Sequence, residues 1–143
     1  MDFSTAVRYC LGNYANFNGR AARPEFWWFY LAFAIVISIP YFLGAISVAI
    51  GTSTSYYGET SFGPAAIFGW LLYVLAGIIY LALIVPMLAV GSRRLHDTGK
   101  SGWFQVFLFI PCVNFVAAVV LIVFWAMAGT PGPNQYGEVP ANA

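Results

Sequence analysis

The chain reads as an all-α integral membrane protein, three transmembrane helices preceded by a short amphipathic interfacial helix. Three observations predict this class. Of 143 residues, 61% are hydrophobic and 8% charged, and the mean hydropathy is +0.77. That is about a third of the charge usual in a soluble domain, and one small core cannot hide so much apolar surface. Three runs without charge, 26–50, 65–90 and 103–128, each exceed the roughly 20 residues a helix needs to cross a bilayer. Finally, all the cations, Arg8, Arg20, Arg23, Arg93, Arg94 and Lys100, lie outside those runs.

In order along the chain, Phe3, Val7, Cys10, Leu11, Tyr14 and Phe17 recur at three-and-four spacing, with Ser4 available as an N-cap. This predicts an amphipathic helix, Arg8 on its polar side, ending near Asn18-Gly19. Its expected place is the cytoplasmic interface; packing against the helix bundle is the alternative. Pro24 suits the first turn of the next helix, and Glu25 complements the positive end of its dipole. Each apolar run holds one proline, Pro40, Pro86 or Pro111, which predicts kinks unless Pro86 and Pro111 fall in terminal turns. The 51–64 loop, rich in Ser, Thr, Tyr and Gly, is irregular or a brief hairpin around Gly58. The expected divisions are a cytoplasmic segment 1–25, a transmembrane domain 26–128 and a C-terminal tail 129–143.

Orientation follows from charge. The positive-inside rule puts the N-terminus and the 91–102 loop in the cytoplasm, and the 51–64 loop and the tail outside. Trp27, Trp28 and Trp103 then mark the cytoplasmic boundary, with Tyr56, Tyr57, Trp70 and Trp125 nearer the other. No cleaved signal peptide is expected, because the first apolar run starts at residue 26 and is too long.

The formal charge of +1 argues against nucleic acid as a partner. Cys10 and Cys112 offer neither a disulfide framework nor metal-ligand spacing, so they read as small buried hydrophobes; no metal or cofactor is expected. The candidate site is the polar run Arg93, Arg94, His96, Asp97 and Lys100, with Arg20, Arg23 and Glu25 before the first span. Glu25 and Asp97 paired with these arginines would clamp helix ends. The segment 98–102 could form an anion-binding nest, but Leu95 stands where a phosphate loop needs glycine. Asn114, inside the third run, is a candidate intramembrane polar site, or a hydrogen-bond partner for a neighbouring helix or a carbonyl freed by Pro111. The leading expectation is a non-enzymatic protein, self-associating as a homo-oligomer, whose cationic cluster engages anionic lipid or a membrane partner. The alternatives are an oligomeric small-solute transporter or channel, with Asn114 near the pathway, and a membrane-surface enzyme using His96 and Asp97.

Residues 19–28 (Gly-Arg-Ala-Ala-Arg-Pro-Glu-Phe-Trp-Trp), 93–103, Ile110-Pro111 and 129–137 resemble the bacterial inner-membrane family catalogued as domain of unknown function 805. The resemblance spans nearly the whole chain and implies a small multi-pass inner-membrane protein of unestablished activity. It implies no catalytic residue. One departure lies in the tail, where Gln135 replaces the family's usual basic residue and Glu138-Val139-Pro140 its usual ending.

Overall fold

The computed structural model describes residues 1–141. Its elements are α1 (Phe3–Gly12), α2 (Arg23–Gly51), β1 (Thr52–Thr54), β2 (Thr60–Phe62), α3 (Pro64–Asp97), a 3₁₀ helix (Gly102–Phe109) and α4 (Asn114–Ala126). They fall into two compact units, 1–32 with 84–143, and 33–83.

α2 and α3 are long and apolar enough to cross a membrane, and α4 is a third, shorter apolar helix. Pro40 and Pro86 lie inside the long helices. Helix α3 runs past the predicted boundary at residue 90 and carries Arg93 to Asp97 in its last turns. Charge alone suggested a loop there. A helix persists because these side chains find partners, and basic groups suit the negative end of the dipole. The helix stops at Gly99, whose φ of 74° lets Lys100 N–H reach back to Leu95 O at 2.9 Å.

The third apolar run is not one helix. The 3₁₀ segment ends before Pro111, Cys112 takes a left-handed φ of 69°, and α4 begins at Asn114. α4 packs back on the 3₁₀ helix, with the Phe104 and Phe124 rings 6.3 Å apart and Lys100 Nζ 4.4 Å from the Phe124 centroid. The two pieces therefore form an antiparallel hairpin. At about 2.0 Å per 3₁₀ residue and about 1.5 Å per α residue, they are about 16 and 20 Å long, short of a hydrocarbon core of about 30 Å. The single span predicted over 103–128 is corrected accordingly. Trp125 is corrected with it: instead of marking the far boundary, it donates from Nε1 to Gly91 O at 3.1 Å.

α1 starts two residues earlier than predicted and ends at Gly12 instead of near Asn18-Gly19. Asp2, not Ser4, is the cap: Asp2 Oδ2 accepts from Thr5 N–H at 3.3 Å and from Ser4 Oγ at 2.7 Å. Hydrogen bonds from Thr5 and Ser4 hold the Asp2 carboxyl well below its usual range. Ala6 and Cys10 are the helix's buried face, whereas Phe3 and Leu11 stay exposed.

In the second unit, β1 and β2 form an antiparallel hairpin with Thr52 opposite Phe62, turning through Gly58. The helices there touch backbone to backbone: a Cβ on Gly69 would lie 2.7 Å from Gly44 O. Many of their large apolar side chains, including Phe42, Ile46, Leu71, Val74 and Ile78, are more than half exposed. Such continuous apolar exposure suits a lipid solvent.

Candidate functional site

The last four carbonyls of α3 have no partners within the helix; the tail reaches two of them, and the N-terminal segment adds a bond to the carbonyl just before them. Ala21 N–H donates to Arg93 O at 3.0 Å, and Thr130 N–H to Asp97 O at 2.8 Å. Asn134 Nδ2 donates to His96 O at 2.9 Å. The N-terminal segment and the tail thus meet at the end of one helix.

Side chains lock this meeting. Asp97 pairs with Arg20 (Nη2 to Oδ1, 2.8 Å) and, through Oδ2, with Arg94 Nη1. Arg20 also donates to Gly132 O at 2.7 Å and Thr130 O at 2.8 Å. Arg94, 1% exposed, donates to Trp125 O at 2.9 Å, to Ala21 O at 3.3 Å and to Met127 O. Gly129 is required here, since an added Cβ would sit 2.7 Å from Asp97 Cγ. A second pair joins Arg93 Nη1 to Glu25 Oε1 at 2.6 Å, with the Arg93 guanidinium 5.7 Å from the Tyr9 ring centroid. Cys10 Sγ approaches Glu25 Oε1 at 3.9 Å; burial, with Glu25 beside it, pushes that thiol up to about 12, so it stays protonated.

The structure therefore brings together Arg20, Arg23, Glu25, Arg93, Arg94 and Asp97, the clamp the sequence suggested. Arg23 is the exposed member, its Nε donating to Met127 O at 3.0 Å. His96 and Asp97 do not pair. The His96 Nδ1 contacts Gly19 O at 3.1 Å, and its ring stacks on Tyr136 at 3.9 Å. Lys100 stands apart on the Phe124 ring. The anticipated nest is absent among the described residues, because the N–H groups of Thr98, Gly99 and Lys100 cap α3. Asn114 is exposed, and its Oδ1 accepts from Phe115 N–H at 2.9 Å, a bond within its own helix. Cys112 is exposed rather than buried. No group of three or more His, Cys, Asp or Glu able to hold a metal occurs among the described residues.

The tail, expected from charge to lie opposite the N-terminus, packs in this structure at the end of α3 beside the N-terminal segment. Thr130, Asn134 and Tyr136 bind the same helix end as Gly19 to Ala21. Sequence reasoning singled out none of these three as site residues, although all lie in the 129–137 block that carried the resemblance. The tail's lack of cations had pointed outward, but its hydrogen bonds to α3 need no charge.

Half of the chain's Lys and Arg residues line one cavity. A cavity of about 480 Å³ is lined by Arg20, Arg23, Arg94 and Asp97 together with tail residues such as Thr130 and Gly132. The planar arginine fork suits it for oxyanions such as carboxylate or phosphate.

These features define a class: a small, mostly helical protein with two helices able to cross a bilayer, a third short apolar helix, and a buried arginine–carboxylate clamp. The chain belongs to the family described as protein of unknown function DUF805, which matches residues 14–138, as the sequence motifs indicated. It is 37% identical over 130 residues to the inner membrane protein YhaI of Escherichia coli K12, covering 91% of this chain and 90% of the relative. It is 35% identical over 130 residues to the inner membrane protein YhaH of the same strain, covering 91% of each. No solved structure matches the chain.

Proposed function

We propose that the protein is a non-enzymatic inner-membrane protein whose cytoplasmic clamp receives an anionic lipid headgroup. The observation that carries this reading is the cavity where three arginines face one carboxylate. Across the whole clamp, four arginines meet only Glu25 and Asp97, which leaves positive charge uncompensated. An excess of that sign attracts an anion, and each cation near an anionic leaflet contributes about 1 kcal/mol. Inner-membrane location is proposed from the names of the relatives.

The accompanying topology has α2 and α3 crossing the bilayer, the 102–126 hairpin entering and leaving from the cytoplasmic side, and both chain ends cytoplasmic. In this reading α1 lies at the interface with Phe3 and Leu11 toward lipid. It keeps every cation on one side, as the positive-inside rule asks. His96 and Asp97 do not form a dyad, and Asn114 Oδ1 bonds within its own helix, so these observations favour the headgroup reading over the two alternatives.

Native mass spectrometry of the purified protein tests the reading. Arg23→Ala, at an exposed position, leaves the clamp's ion pairs intact and is expected to lower retention of phosphatidylglycerol or cardiolipin about fivefold. Equal retention by wild type and variant would contradict the headgroup reading. A retained protein chain in place of lipid would assign the cavity to a membrane partner, and a mass of two copies to self-association.

A further inference from the structure

The first unit contains another cavity, of about 540 Å³, within the size range of small-molecule sites. Its walls change character along their length. On α3 the lining residues Leu88, Ser92 and His96 are four apart and share one helix face, apolar first and polar toward the helix end. The 3₁₀ hairpin arm mirrors that order, from Ser101 and Gly102 to Val106 and Phe109. Tyr136 closes the polar end by stacking on His96. Trp103 at the rim is 80% exposed. No Lys, Arg, Asp or Glu lines this space among the described residues, in contrast to the arginine cavity.

Two polar groups in it are available to a ligand. Ser92 is 5% exposed, yet its hydroxyl makes no hydrogen bond among the described residues and is not a sealed-off atom. A helical serine ordinarily donates to the carbonyl four residues earlier. Here that carbonyl, Leu88 O, already accepts from Gln105 Nε2 at 3.1 Å. One turn further on, His96 Nδ1 faces Gly19 O at 3.1 Å. A carbonyl only accepts, so Nδ1 carries the proton and Nε2 of the uncharged ring is left as an acceptor.

We propose that this cavity binds an uncharged glycerolipid with a free hydroxyl, diacylglycerol in kind, taken up from the bilayer. An acyl chain lies along Leu88, Val106 and Phe109. An ester carbonyl accepts from the Ser92 hydroxyl, and the lipid hydroxyl donates to His96 Nε2. An uncharged head fits walls without charge, whereas a phosphate there would have no cation. The inference rests on the membrane reading and is independent of the arginine cavity.

The test uses the full chain in detergent, delipidated, with dioleoylglycerol, its 3-acetyl ester and dioleoylphosphatidylethanolamine as probes and native mass spectrometry as the readout. Dioleoylglycerol is expected to bind, with the acetyl ester about fivefold weaker, the scale of one lost hydrogen bond. Ser92→Ala, which breaks no bond in the structure, is expected to weaken dioleoylglycerol by a similar factor. Val106→Trp, which fills the cavity, is expected to abolish binding, and Arg23→Ala to leave it unchanged. Absence of dioleoylglycerol binding, or binding indifferent to both Ser92→Ala and Val106→Trp, overturns the site. Equal binding of all three probes overturns the assignment of the head. Loss of phosphatidylglycerol retention in Arg23→Ala with dioleoylglycerol binding intact separates this site from the headgroup site.

Discussion

The two units of the chain hold themselves together by different physics. The unit formed by 1–32 and 84–143 is tied by buried charge and by carbonyl capping, in which every tie names a specific partner. The unit 33–83 has apolar helices in contact at glycine and a hairpin closed by a Ser53–Ser61 hydroxyl contact of 2.8 Å. In lipid, apolar side chains gain nothing by leaving their solvent, so close backbone approach and polar ties decide which segments associate. Polar ties select one arrangement, and glycine contact permits one.

Four substitutions sharpen this contrast, taken from the largest effect downward. Asp97→Asn should leave Arg20 and Arg94 buried without their carboxylate, at a cost of about 3–5 kcal/mol. Thermal unfolding in detergent should then show most of the protein unfolded or aggregated at temperatures where wild type is folded. Gly69→Ala places a methyl against Gly44 O and Val48, a clash of about 1–3 kcal/mol, read as a lower melting temperature. If it costs as much as Asp97→Asn, the distinction between the units fails. Tyr136→Ala removes the His96 stack, worth about 0.5–1.5 kcal/mol, and should raise amide exchange in the tail without unfolding the helices. Ser53→Ala, in the exposed hairpin, should stay within about 0.5 kcal/mol of wild type in the same melting assay.

Hydropathy and charge made the two long helices legible, because a helix satisfies the backbone hydrogen bonds of an uncharged run within the run itself. The clamp was legible in its members: two carboxylates among arginines must pair if buried. Their exact pairing was not, since Asp97 chose Arg20 and Arg94 over His96 through geometry that spacing does not carry. The hairpin was hidden for a different reason. A window average over 103–128 sees only apolar residues, and a reversal at Pro111 and Cys112 does not lower it. The signals available were Pro111 followed by Asn114, and a tail of turn formers, Thr130-Pro131-Gly132-Pro133-Asn134, that binds by its backbone. Counting cations gave no hint of the tail's contacts with α3, because they are made by carbonyls and amides.

The central claim is that the clamp holds both chain ends on one side of the membrane. Cysteine labelling tests it, in a Cys112→Ser background with buried Cys10 retained. Gln135→Cys in the tail and Asn16→Cys before α2 should both react with a membrane-impermeant maleimide in inverted vesicles and not in intact spheroplasts. Tyr57→Cys in the hairpin should show the reverse. Labelling of Gln135→Cys in spheroplasts, with Asn16→Cys protected there, would contradict the account.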